Sequence, residues 1–228
     1  MRTGIAVCIS LAMLTAVAVA EDINPPTWRG EPNTSWVQYE FLTDIQPPVI
    51  DDGYLPFGDP VIEVIPGPGA GWSAQQPTYE MGGPGVYDPA GDPGDGWWNL
   101  SGEIIITLQN DPTPRPHKEI WLQFVWEPQA PGNAPILQIT DPYQEETTIP
   151  FVRTVLWEED PVVNEWRKVY HDTWHFDLFP NPPFETISIR GGINVDELVI
   201  DTWCVPEPAT MALLGLGGAA ALLRRRRA

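Results

Sequence analysis

The chain is poor in cysteine, in basic residues and in long apolar runs, and each shortage excludes something. Two cysteines occur, Cys8 and Cys204. Cys8 lies inside an apolar N-terminal stretch, off the cleavage point a lipoprotein would use, and leaves with that stretch if it is removed. Cys204 then stands alone, which excludes an internal disulfide framework. The expected state of Cys204 is an inert thiol at a strand end, against pairing with another chain or carrying an attachment. Lys and Arg number 12 against 31 Asp and Glu. That balance argues against nucleic acid or anionic lipid as a partner, because phosphate binding runs on Lys and Arg. Sustained helical periodicity is missing from the body, and so is any G-x-S-x-G nucleophile motif.

The apolar runs that do exist sit near the two ends. Arg2 precedes an uncharged stretch from Gly4 to Val17 that closes on Ala18-Val19-Ala20. A positive start, a short apolar core and a small-x-small site describe a signal peptide over residues 1–20, cleaved before Glu21. Near the other end, Ala209 to Leu223 is uncharged and rich in Ala, Leu and Gly. As a helix it reaches only about 22 Å at about 1.5 Å per residue, against a hydrocarbon core of about 30 Å. Arg224, Arg225, Arg226 and Arg227 follow directly, and such a cluster stays on the cytoplasmic side, leaving everything before Val205 outside.

Ahead of that helix stand Pro206, Glu207 and Pro208, a stiff, extended element that keeps the backbone open to a protease at the membrane surface. Pro-Glu-Pro, a short apolar helix and a terminal Arg cluster, in that order, resemble the PEP-CTERM sorting signal. The resemblance covers about the last two dozen residues. It implies that the chain is a substrate of exosortase, a membrane protease with a cysteine nucleophile found in bacteria that make exopolysaccharide. It also implies that processing falls at Pro206-Glu207-Pro208. It says how the chain is sorted and nothing about the body; the bland alternative for the tail itself is a plain anchor.

Removing Arg2 and Arg224 to Arg227 leaves seven basic residues against 31 acidic ones, a net charge of −24 for the exported body. Such a charge suits divalent cations, or simple solubility. Residues 21–204 are enough for one domain with a real core. The 27 Pro and 20 Gly punctuate short β-branched and aromatic runs, which predicts an all-β domain. The predicted strands are Trp36 to Leu42, Val61 to Ile65, Glu103 to Gln109, Glu119 to Trp126, Ile136 to Ile139, Phe151 to Trp157, Glu165 to Leu178, Thr186 to Arg190 and Asn194 to Trp203.

In the run EIWLQFVW, Ile120, Leu122, Phe124 and Trp126 share one face, and Trp121, Gln123 and Val125 the other, so this strand is expected to be central. In GGINVDELVIDTW the alternation breaks at Asp196-Glu197, which predicts a β-bulge. The same phrase resembles the closing strand of jelly-roll carbohydrate-binding domains. Nine short strands without an internal repeat favour an antiparallel β-sandwich of jelly-roll type over a propeller. The domain plan is thus a signal peptide (1–20), a β-sandwich (21–204) and a sorting signal with a transmembrane helix (205–228).

Three groups of side chains bear on chemistry. Asp88, Asp92 and Asp95 lie in YDPAGDPGDGWW, inside a Gly- and Pro-rich segment from Pro66 to Gly96. Carboxylates on turns suit calcium, but the spacing misses the calcium-loop pattern, and ordinary solvated turns are the favoured reading. Trp97 and Trp98 follow, and exposed rings there would pack on the flat faces of sugars; packing in the core or at its rim is the competing reading. His171 and His175, in HDTWH, fall on one strand face about 13 Å apart, too far for one metal ion. Glycosidases need only two carboxylates at a set separation.

The chain therefore reads as an exported, non-catalytic protein of the cell envelope or exopolysaccharide matrix. It would be held in the membrane before processing, carry no cofactor unless calcium, and contact polysaccharide through Trp97 and Trp98. The alternatives are a secreted glycosidase or lyase and a calcium-dependent surface-layer subunit.

Overall fold

Alternating apolar side chains in strands too short to stand alone must be buried against a second layer, and this chain does so with two sheets. The computed structural model describes residues 22–73, 97–143, 145–148, 152–158 and 168–206. Every regular element among them is a strand: β1 (Thr34–Tyr39), β2 (Asp52–Tyr54), β3 (Val61–Ile65), β4 (Gly71–Ser73), β5 (Trp97–Asn99), β6 (Gly102–Gln109), β7 (His117–Pro128), β8 (Ile136–Thr140), β9 (Glu145–Thr148), β10 (Val152–Glu158), β11 (Lys168–Leu178), β12 (Phe184–Gly191) and β13 (Ile193–Val205).

One sheet runs β10-β11-β7-β13-β1-β2, with β5 joined to β13 and β4 to β5; the other runs β3-β6-β12-β8-β9. All pairings are antiparallel. A single core lies between the sheets. Val37, Leu122, Phe124, Trp174 and Ile200 face it from the first sheet, and Ile62, Ile104, Leu137, Ile187 and Ile189 from the second. Two antiparallel sheets sharing one core make a sandwich.

The predicted core face of β7 is the observed one: Ile120, Leu122, Phe124 and Trp126 are buried together, and the strand lies between β11 and β13. The bulge also stands where the alternation breaks, because the β13–β7 register shifts between Val195 and Glu197. That shift lets Val195, Leu198 and Ile200 all reach the core.

The opposite face of β7 is covered by the chain preceding β1. Asn24 donates its backbone N–H to Gln123 (2.8 Å), Gln123 donates to Asp22 (2.7 Å), and the Trp121 indole donates to the Asn24 carbonyl (2.7 Å). Arg29 clamps the same strap by pairing with both Asp22 and Asp201, its guanidinium 5.1 Å from the Trp36 ring. A strap of this kind explains why both faces of EIWLQFVW are apolar.

Asp201 has a side chain without solvent exposure. Burial pushes its pKa from 3.8 up to about 6, and the Arg29 guanidinium opposes that rise. A carboxyl whose folded pKa is raised binds its proton more readily when folded, so its contribution to stability is lost as pH rises from about 4 to 6. Asp201→Asn removes that slope. Urea unfolding of wild type and variant should converge or cross over this window, with a change in their difference of up to about 3 kcal/mol. Parallel pH profiles would contradict the assignment.

Candidate functional site

Strand register assembles the outer face of the larger sheet, part of which the strap covers, into two rows. Tyr54, Trp36, Asp201, Trp121 and His175 stand directly opposite one another across β2, β1, β13, β7 and β11. In the neighbouring row Thr34, Trp203, Glu119 and Asp177 do the same. Side chains two apart on a strand share a face, so each row comes from alternate residues. The strand spacing of about 4.8 Å then sets aromatic rings and carboxylates side by side.

Rings pack along these rows. Trp28, from the strap, lies 5.8 Å from Trp203; Trp121 lies 5.3 Å from His175; and His117 stacks on Phe179 at 4.8 Å. Phe179 and Tyr54 are largely exposed; Trp28, Trp36, Trp121 and Trp203 are half-buried. Around the second row His117 Nε2 lies 3.6 Å from Glu119 Oε1, and His175 Nε2 lies 3.8 Å from Glu119 Oε2 and 3.9 Å from Asp177 Oδ1.

The residues singled out in the sequence fall elsewhere. Trp97 and Trp98 occupy β5, where alternation sends them to opposite sides: Trp97 is half-exposed, but Trp98 is 4% exposed and part of the core. Trp98 is therefore a packing residue and not a sugar platform, a correction that follows from the period of two. Asp88, Asp92 and Asp95 lie outside the described residues. His171 and His175 share a face of β11 as expected, with His171 buried opposite Val125 and His175 partly exposed opposite Trp121. Cys204 is fully buried, and burial pushes its thiol pKa up, which disfavours the reactive thiolate.

His117, Glu119 and Asp177 were not legible as a group. Their signal was the i, i+2 pairing of polar residues in HKE and HFD, which acquires meaning only once the β7–β11 register is known.

β13 ends at Val205, and Pro206 follows it as an exposed residue outside any strand. Glu207, Pro208, Ala209 to Leu223 and Arg224 to Arg227 lie outside the described residues, as does the N-terminal signal segment. Residues 205–227 match the family model described as the PEP-CTERM protein-sorting motif. No curated protein and no solved structure matches the chain. The motif thus marks this β-rich protein for export. This chain carries the PEP-CTERM sorting motif, and the motif marks it as a substrate that exosortase sorts to the cell surface.

Proposed function

We propose that this protein is a non-catalytic component of the cell envelope or exopolysaccharide matrix. The apolar segment 209–223 holds it in the membrane until processing at Pro206-Glu207-Pro208, and its body contacts extracellular polysaccharide. The sandwich is of jelly-roll type: β1-β13-β7-β11 in one sheet and β6-β12-β8-β9 in the other is the strand order that two interlocked Greek keys produce.

The observation that carries the binding reading is the row of Trp203, Glu119 and Asp177 on the outer sheet face beside the strap. Flat rings offer stacking area to the C–H faces of sugars, and neighbouring carboxylates accept hydrogen bonds from hydroxyls. Trp28 and Trp203 are the rings best placed for this, since they form a half-exposed pair beside Glu119.

Affinity electrophoresis of the purified protein in gels containing the host's own exopolysaccharide tests this reading. Wild type is expected to be retarded, and a Trp28→Ala, Trp203→Ala double variant with an unchanged unfolding midpoint should bind about tenfold more weakly or less. Unretarded wild type, or equal retardation of both, would contradict it.

A polysaccharide-active enzyme is the second reading, and the facing carboxylates of Glu119 and Asp177 favour it. It requires release of new reducing ends that Glu119→Gln and Asp177→Asn each abolish.

A further inference from the structure

The whole chain contains three histidines, and two of them converge on one pair of carboxylates. His117 and Glu119 alternate on β7, His175 and Asp177 alternate on β11, and Glu119 stands directly opposite Asp177. One ligand atom each from His117, Glu119 and Asp177 lie within 4.8 Å of one another. His175 flanks this trio at 3.8 Å from Glu119 and 3.9 Å from Asp177.

Three features distinguish this cluster from solvated surface charge. Like charges directly opposite on paired strands are destabilising, so the Glu119–Asp177 register calls for positive charge beside it, from a metal ion or a protonated imidazole. The imidazole-to-carboxylate distances of 3.6 to 3.9 Å exceed a hydrogen bond of about 2.7–3.2 Å. They approach the separation of roughly 3.3 Å between ligands that each reach a central ion at about 2.0–2.2 Å. Both imidazoles are also held from behind. Phe179 stacks on His117, and Trp121, fixed by its bond to the Asn24 carbonyl, packs against His175. Such support keeps ligands near a productive orientation.

We propose that His117, Glu119 and Asp177, with His175 as the flanking ligand, bind one zinc-class transition-metal ion. Two imidazoles with two carboxylates suit zinc and its neighbours, whereas calcium and magnesium prefer oxygen alone. The charge of two carboxylates balances a dication. The four side chains are 21% to 46% exposed, so the ion enters from solvent and keeps an outward position for water. The proposal stands whether or not the face binds polysaccharide.

Titration of the metal-free full-length protein, purified in detergent without an affinity tag, with zinc alone tests the site. Calorimetry should report one ion per chain, and cobalt substitution should give visible absorption bands from nitrogen and oxygen ligands. His117→Gln and Asp177→Asn should each weaken binding at least as much as the roughly 10–100-fold that loss of a mere supporting residue costs. Neither change disturbs the core, and unchanged unfolding midpoints in the absence of metal verify that. Absence of a stoichiometric zinc event, zinc binding unaltered in both variants, or displacement of zinc by an equal concentration of calcium would each overturn the proposal.

Discussion

Lys118→Met is expected to lower the unfolding free energy by about 3–5 kcal/mol, because it strands a carboxylate in the core. Lys118 points inward from β7 and Glu185 inward from β12, so their ion pair spans the two sheets, and both side chains are fully buried. Asn110 completes the network. It accepts from Lys118 and donates to Glu185 Oε2 (2.7 Å) and to the Pro182 carbonyl (2.6 Å). Burial raises the Glu185 pKa, and Lys118 is the main influence opposing that rise. Methionine fills the lysine's volume without its charge, so the loss reports the missing partner and not a cavity. A Lys118→Met, Glu185→Leu double variant should recover most of the stability, since apolar replacements of a buried pair are often neutral or better. Urea unfolding of the three proteins decides it. A single variant within 1 kcal/mol of wild type, or a double variant no more stable than the single, would contradict the account.

The position of this network bears on sorting. Lys118 pairs with Cys204 in the β7–β13 register, and Val205 pairs with His117 one residue on. The chain therefore leaves the sandwich for the Pro-Glu-Pro element from a strand braced on both sides, by β7 and β1. Pro206, the first residue of that element, follows Val205 directly, exposed and outside the hydrogen-bonded strands.

Period-two patterning made the long strands legible. Val61–Ile65 has the expected bounds, and each of the other eight predicted runs corresponds to an observed strand with shifted ends. The four elements without a prior signal, β2, β4, β5 and β9, have three or four residues each, too few for alternation to register. In β5 the same brevity hid the alternation that buries Trp98 and leaves Trp97 half-exposed. Sheet register was invisible for a different reason. Nothing local in HKE or HFD says that Glu119 meets Asp177, since that pairing depends on a connection between distant strands. The tail was the reverse case, because its three unlike features are contiguous and need no tertiary contact to be recognised.

Replacing Pro206, Glu207 and Pro208 by alanines is expected to abolish processing outright. The element combines two fixed φ angles, a missing pair of backbone donors and one carboxylate. Alanine removes all three and favours helix in place of the extended element, since alanine is the best helix former. The change lies beyond β13, so the sandwich and its stability should be untouched. Intact mass and fractionation of wild type and this variant, each expressed in the native host, test the central claim most directly. The account predicts mature wild type that has lost the arginine tail and left the membrane, beside a variant retained there with its tail complete. Both proteins keeping the arginine tail in the membrane would contradict it.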